Sequence, residues 1–197
     1  MNQEPSIPEL ILASGSVIRK TLMERLAVPF SVKPADVDET PAEKEHPREL
    51  ALRLSADKAL AVSAQHPGAW VIGSDQVAWH DGAAAGKPGT VERAEAALRA
   101  YSGTMVAFHT GVVVAHQGQV HGRHIDLTRV YFRHLSDDEI TRYVAADQPL
   151  DCAGSFRLES RGPMLFQDCR TDDPTALLGL PMIALCRLLR GAGFSLP

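Results

Sequence analysis

The chain has 197 residues, of which 45% are apolar and 22% are charged, a composition that suits one globular domain or two tightly joined lobes. Its formal net charge of −4 disfavours a nucleic-acid-binding module, because a polyanion could be held only by basic groups gathered in one cleft. The three widely spaced cysteines disfavour a disulfide framework and favour a reducing compartment, so we expect a cytoplasmic protein.

Short apolar runs alternate with amphipathic spacing through the first half of the chain. The pattern predicts, in chain order, a strand over 9–13, a helix over 17–27, a strand over 30–34, a helix over 47–65, and strands over 70–74 and 77–80. Ser14-Gly15-Ser16 ends the first strand, and Asp81-Gly82 predicts a hairpin turn after the last one. Asp75 is expected at the C-terminal edge of the strand over 70–74.

The second half of the chain places a β-region between helical segments. The pattern predicts a helix over 90–101, a β-region over 105–132 that turns back at 116–119, and helices over 136–146 and 181–190. Thr90 is predicted as an N-cap, and Ser136 followed by Glu139 forms a capping-box signature. These elements predict a mixed α/β fold with a long central sheet.

We expect residues 1–197 to form one unit that does not associate with a membrane. No repeat, low-complexity tract or obvious linker divides the chain. Residues 1–8 lack the basic start and the longer apolar run of a signal peptide. No segment approaches the length of a membrane span.

The segment 14–20 predicts an anion-binding loop. A strand that passes through small residues into a helix leaves backbone N–H groups and the positive end of the helix dipole at the loop. Arg19 and Lys20 lie in the first helical turn, where the dipole disfavours cations, so an anionic ligand would explain them. The alternative is that Ser14 or Ser16 simply caps the helix.

Carboxylates that could carry chemistry follow two of the predicted strands. Asp75 lies where α/β sheets place their ligand sites, and an aspartate there can bind a metal or act as a base. Asp36, Asp38 and Glu39 could supply oxygen ligands to a hard divalent cation. Taken alone, each pattern is more often a solvated or turn-capping carboxylate.

Three other chemistries are disfavoured by spacing. The run 82–88 is similar to a P-loop, but its glycines are one residue too close and a proline replaces the Ser or Thr that holds magnesium. Lys87 is nevertheless presented by a loop that its glycine and proline neighbours fix. His121 and His124 have no second cluster that would complete a zinc site, and Ser155 lacks the GxSxG elbow of serine hydrolases.

Together these segments resemble the Maf family of nucleotide pyrophosphatases, nearly end to end from Leu10 to about Leu189. The motifs that carry the resemblance, in the family's order, are LILASGS-V-I-R at 10–19, Val37–Thr40, Lys58-Ala59, Ile72–Asp75, Gly86–Pro88, His109–Val112 and Phe132–Ser136. Any one motif is weak, whereas the ordered set is specific. The resemblance implies the two-lobed α/β fold of Maf and ITPase-like proteins, with an elongated mixed sheet and a site in the cleft between the lobes.

Within the family, the chain is most similar to the 7-methyl-GTP pyrophosphatase branch. Gln76 directly after the aspartate, and Ala153–Phe156 leading to Glu159, are typical of that branch. The sibling branch that takes dTTP and UTP generally has Thr and Gln at these two positions. This chain departs from its branch at Ile18, where tryptophan is usual. A tryptophan would stack on the cationic methylated guanine, whereas Ile18 offers only apolar contact, so the base preference is open.

The resemblance implies hydrolysis of a nucleoside triphosphate between its α- and β-phosphates with a divalent metal, magnesium or manganese. By the same resemblance the phosphates are bound by Ser16, Arg19, Lys58 and Lys87, the metal by Glu39 and Asp75, and the base by Ile18, Gln76 and Glu159. Asp75 is also assigned to orient or deprotonate the attacking water. The family further implies a homodimer and the clearance of modified nucleotides.

Two alternatives remain open from the sequence. The same chemistry could act on dTTP, UTP or another nucleotide, which Ile18 allows. The chain could instead be a nucleotide-binding regulator of cell division that does not turn over its ligand, although intact Asp75, Glu39 and both lysines disfavour this.

Overall fold

The computed structural model of the chain describes residues 8–196. Residues 1–7, which belong to the stretch expected not to be a signal peptide, lie outside the described residues. Within 8–196 the strands are β1 (Leu10–Leu12), β2 (Ser31–Val32), β3 (Trp70–His80), β4 (Ala83–Ala85), β5 (Met105–His116), β6 (Gln119–Phe132) and β7 (Phe166–Arg170). The α-helices are α1 (Val17–Glu24), α2 (Pro47–Gln65), α3 (Val91–Tyr101), α4 (Asp137–Asp147) and α5 (Met182–Gly191), and 3₁₀ turns cover Gly162–Leu165 and Ala176–Leu178.

The predicted helix starts are confirmed where a local cap defines them. Thr90 caps α3 by accepting a hydrogen bond from a backbone N–H, and Ser136 forms the predicted capping box at the start of α4. The prediction is less accurate at the ends: α1 stops at Glu24, β2 is only two residues long, and neither β4 nor β7 was predicted.

The prediction that Asp75 ends a strand is wrong. Residues 70–80 form the single strand β3, and Asp75 lies in its interior. The cause is β5, which pairs antiparallel with β3 from Trp70 to Trp79 and carries the strand through its polar residues. The apolar pattern of the sequence breaks at Asp75 and Gln76, but β5 provides hydrogen-bond partners for the backbone of β3 there.

The sheet has the strand order β2-β1-β3-β5-β6-β7, with β4 added beside β3. β1 and β4 share one edge of β3 without meeting. β1 pairs with residues 70–72 of β3, and β4 pairs with residues 78–80. Between these pairings, residues 73–77 have no strand partner on that side among the described residues. Asp75 lies at the centre of this gap in the sheet edge.

Two hydrophobic clusters on one face of the sheet form the two lobes. Side chains alternate along a strand, and Ile72 and Ala78 of β3 point to this face. Ile72 packs with α1 and α5 in the first lobe, whereas Ala78 packs with α3 and α4 in the second. The two lobes predicted for the fold are therefore present, and both stand on continuous strands.

Helix α2 covers the opposite face of the sheet and approaches it closely at two glycines. A Cβ at Gly73 would overlap the backbone carbonyl of Ser55, and one at Gly111 would lie 2.5 Å from the Ser55 hydroxyl. Only glycine permits this approach, which brings α2 within side-chain reach of the gap. Among residues 8–196 no helix is both long and apolar enough to cross a membrane.

Candidate active site

The gap in the edge of β3 is flanked by two loops that the sequence singled out. The loop after β1 carries Ser14 and Ser16 into α1, and the loop after β4 carries Lys87. Since β1 and β4 lie at the two ends of the gap, both loops approach Asp75 from opposite sides. Helix α2 adds Lys58 from the face behind β3.

Lys58 is held between two carboxylates. Its Nζ lies 2.5 Å from Asp75 Oδ1 and 2.5 Å from Glu39 Oε1. The side chains of Lys58 and Asp75 are only 10% and 13% exposed, whereas that of Glu39 is 59% exposed. The Lys58–Asp75 pair is thus shielded from water, which strengthens the attraction, while Glu39 forms the solvent side of the cluster.

The cations around Glu39 control its ionisation. Lys58 donates to the Glu39 carboxylate and lowers the pKa of that group, although partial burial acts in the opposite direction. Lys87 and Arg19 add to the attraction. Glu39 is therefore an anion at neutral pH, and the three predicted cations Arg19, Lys58 and Lys87 gather around it in a chain whose net charge is −4.

The backbone of Asp75 is fixed by α2 as well. Its N–H donates to Ser55 Oγ at 2.9 Å, and the Ser55 hydroxyl donates to the carbonyl of Ala51 at 2.6 Å. Ser55 is fully buried. Because one helix binds both the backbone and the carboxylate of Asp75, the orientation of Asp75 depends on the closeness of α2.

Arg19 is oriented by two protein contacts at the start of α1. Its Nε donates to the carbonyl of Gly179 at 2.7 Å, and its Nη1 donates to Ser14 Oγ at 3.2 Å. Ser16 is the N-cap and accepts from the Arg19 N–H, so its capping role is confirmed. Burial lowers the pKa of the guanidinium and the carboxylates of Asp75 and Glu39 oppose that shift. Arginine nevertheless stays protonated.

The site contains two carboxylates, those of Glu39 and Asp75, that could bind a metal ion. The described residues contain no group of three or more His, Cys, Asp or Glu side chains that converge as ligands. Asp38 caps its own turn by accepting from the N–H of Thr40, but Glu39 and Asp75 meet at Lys58. Mg²⁺ commonly binds through one or two carboxylates together with substrate phosphates, so Glu39 and Asp75 fit such a cation.

Comparison with known proteins decides the family. A family model described as Maf-like protein matches residues 9–192, which is most of the chain. The chain belongs to the Maf family. This Maf protein is 54% identical over 192 residues to the 7-methyl-GTP pyrophosphatase of Xanthomonas axonopodis pv. citri, covering 97% of this chain and 100% of that protein. It is 52% identical over 191 residues to a protein of the same name from Aromatoleum aromaticum, covering 96% and 98%.

Among solved structures, this Maf protein is similar to a HAM1 protein from Coxiella burnetii. The TM-score is 0.53 at 17% sequence identity, and the match covers 93% of this chain and 98% of that chain. At this identity the likeness concerns the fold alone. It supports the α/β architecture with its long mixed sheet.

The three residues predicted to read the base in this Maf protein lie in different settings. Ile18 is half-buried beside Arg19 in α1. Gln76 points into the protein and donates its side-chain amide to Thr110 and to the carbonyls of Ala176 and Leu177. Glu159 is exposed in the second lobe, and no hydrogen bond or ion pair joins it to Asp75 or Lys58 in the part of the chain that is described.

Sequence reasoning missed three groups that shape the site. Ser55 fixes the Asp75 backbone, Ser74 donates to the carbonyl of Gly179, and that carbonyl holds Arg19. The small residues beside the Asp75 motif were a signal for close packing. The carbonyl of Gly179 had no signal in the sequence, since every residue has a carbonyl.

Proposed function

We propose that this chain is a nucleoside triphosphate pyrophosphatase that hydrolyses 7-methyl-GTP to the nucleoside monophosphate and pyrophosphate. Two relatives that are more than 50% identical over nearly their whole length carry that name. The observation that carries the chemistry is Lys58 held between Asp75 and Glu39 in the gap of the sheet edge.

The basic groups suit a triphosphate, which carries about four negative charges, and phosphoryl chemistry depends mainly on positioning and charge neutralisation. Arg19 can grip phosphate oxygens with its planar fork, and Lys58 and Lys87 act as point charges. The Ser16 hydroxyl can donate to a further phosphate oxygen. Arg19, Lys58 and Lys87 thus supply the cluster of positive charge that a triphosphate requires.

Asp75 is proposed to orient and deprotonate the attacking water. Water adds to one phosphorus of the α,β-anhydride, the bridging oxygen leaves with the other, and the water proton passes to the carboxylate. Lys58 keeps this carboxylate turned toward the gap. Glu39 and Asp75 would hold the divalent cation, magnesium or manganese, whose chemistry when bound is to neutralise charge on the phosphate oxygens.

The base is proposed to be read from the second lobe. The Glu159 carboxylate can accept hydrogen bonds from guanine N1–H and the exocyclic amine, which a pyrimidine does not present in that arrangement. Glu159→Gln should then weaken guanine nucleotides more than dTTP or UTP. Because Ile18 replaces the tryptophan usual in the branch, hydrolysis of dTTP, UTP or another nucleotide is the second candidate.

The compartment and the role are also part of the proposal. The three cysteines of the chain are free, which is compatible with the reducing cytoplasm. Hydrolysis of 7-methyl-GTP there would keep a modified nucleotide out of nucleic acids.

The proposal is tested by pyrophosphate release from 7-methyl-GTP, GTP, dTTP and UTP, each with magnesium or manganese. Asp75→Asn should reduce turnover by about a hundred- to ten-thousandfold, the usual contribution of a general base. Asp138→Asn, at an exposed aspartate on α4, is the matched control and should leave turnover unchanged. Preference for dTTP or UTP would overturn the substrate, and tight binding without turnover by the folded protein would favour the regulator of cell division.

A further inference from the structure

Ser74 and Gln76 flank Asp75 on β3 but point to the opposite face of the sheet. Ser74 is fully buried, and its hydroxyl lies 2.7 Å from the carbonyl of Gly111 and 2.8 Å from the carbonyl of Gly179. A serine hydroxyl has one hydrogen, so these two carbonyls share it. Ser74 thereby ties the segment 176–179 to the central strands.

Gln76 binds the same segment at its other end. Its Nε2 lies 3.0 Å from Thr110 Oγ1, 3.0 Å from the carbonyl of Ala176 and 3.2 Å from that of Leu177. Two backbone carbonyls can only accept, which fixes the side-chain nitrogen, and not the oxygen, on this side. The two amide hydrogens of Gln76 are therefore used inside the protein and are not available to a nucleotide base.

The segment 176–179 in turn holds Arg19. The Gly179 carbonyl that accepts from Ser74 also accepts from Arg19 Nε at 2.7 Å. Gly179 has φ +98, a conformation that side-chain-bearing residues rarely adopt, and a Cβ there would lie 3.2 Å from Arg19 Nε. With Ser14, this contact uses two of the five guanidinium N–H groups. The orientation of the other three therefore follows the position of the Gly179 carbonyl.

We propose that Ser74 and Gln76 are positioning residues for Arg19, which they orient through the carbonyls of segment 176–179. The inference rests on the proposed role of Arg19 in phosphate binding. Residues 74–76 then position basic groups on both faces of the sheet. Asp75 contacts Lys58 on one face, while its two neighbours orient Arg19 through segment 176–179 on the other. Gln76 accordingly affects the phosphate grip, which every nucleotide shares.

A double-mutant cycle tests whether the two residues act through Arg19. Ser74→Ala and Gln76→Ala are each made in the natural chain and in an Arg19→Ala background, and kcat/KM is measured by pyrophosphate release. Residues coupled through shared contacts deviate from additivity, so we expect each variant to lose about tenfold in the natural chain and less than about twofold when Arg19 is absent. Equal losses in both backgrounds would overturn the proposal.

Ser63→Ala is the matched control. Ser63 is also fully buried and its hydroxyl accepts a hydrogen bond from the N–H of Gly118, but it lies in α2 away from segment 176–179. It should leave kcat/KM unchanged in both backgrounds. If Ser74→Ala does not fold, Gln76→Ala at its half-buried position decides alone.

Two further readouts separate this inference from the proposed function. Gln76→Ala should reduce kcat/KM for 7-methyl-GTP, GTP, dTTP and UTP by a similar factor, and a loss confined to guanine nucleotides would show base contact instead. If the natural chain releases no pyrophosphate, the proposed function fails. In that case the affinity for inorganic tripolyphosphate is measured by titration calorimetry on the same variants, which tests without hydrolysis whether Ser74 and Gln76 act through Arg19. Additive losses of affinity would refute the coupling to Arg19.

Discussion

Gly73→Ala should disable the site without touching any charged residue. A methyl group at this position would overlap the carbonyl of Ser55 and lie 2.7 Å from the backbone nitrogen of Ala59 and 2.9 Å from its Cβ. An ordinary contact needs at least 3.4 Å, so α2 must retreat from the sheet by about 1 Å or more to clear the Ser55 carbonyl, since packed backbone cannot be compressed. Lys58 is next to Ala59 in the chain and retreats with it.

The magnitude follows from that displacement. Overpacking of this kind costs about 1–3 kcal/mol, which for a chain of this length lowers Tm by roughly 2 to 12 °C. A misplacement approaching 1 Å in a catalytic group costs on the order of a hundredfold in rate, so kcat should fall by about ten- to a hundredfold as Lys58 moves away from Asp75.

The assay compares Gly73→Ala with Gly68→Ala by thermal unfolding and by pyrophosphate release. Gly68 lies just before β3, and a Cβ there meets nothing within 4 Å. The control variant should match the natural chain in both measurements. If Gly73→Ala also matched it, the close approach of α2 would not be what positions Lys58, and the reasoning would be refuted.

Three more predictions concern pH, stability and phosphate binding. Burial, with three nearby basic side chains, lowers the pKa of His109 to about 4. As the pH falls, the unfolded chain protonates this histidine before the folded chain does, so the free energy of unfolding should decrease between about pH 6.5 and 4. His109→Gln should reduce this decrease by up to ~3 kcal/mol, measured by urea titration at several pH values. An unchanged dependence of stability on pH in the variant would contradict the prediction. Asp147→Ala, which removes the buried acceptor of Arg161, should cost about 1–3 kcal/mol by the same titrations and loosen the turn that follows Glu159. An unchanged midpoint would argue against this. Arg19→Lys should lower kcat/KM by at least about tenfold, because an ammonium cannot reproduce the fork, and near-normal steady-state kinetics would exclude the fork as the reason.

The sequence predicted best what is decided locally. Thr90 and Ser136 announce helix starts because a capping side chain and its N–H partner are only three residues apart. Asp75 was misplaced at a strand end because its polar neighbour suggests a break, whereas β5, more than thirty residues away in the chain, keeps the strand intact. The continuity of β3 thus depends on pairing with a distant strand and not on its local sequence.

The sequence predicted the charged residues of the candidate site but not the contacts that orient them. The ordered motifs of the Maf resemblance named Arg19, Lys58 and Glu39, and the structure brings these together around Asp75. The contacts that orient them use backbone carbonyls and N–H groups, as between Arg19 and Gly179. Almost every residue carries the same backbone groups, so no sequence pattern marks the ones that will meet.

The continuity of the strands has a mechanical consequence. β3, β5 and β6 are 11, 12 and 14 residues long, and at about 3.3 Å per residue they extend some 36 to 46 Å through both lobes. Lobes joined by a short flexible loop can swing about a hinge, but here a change in the distance between the two lobes must bend or twist three hydrogen-bonded strands together. The elastic stiffness of the sheet therefore sets the distance between the lobes before a nucleotide arrives. Selection among nucleotides then depends on a distance between the lobes that is fixed when the sheet folds.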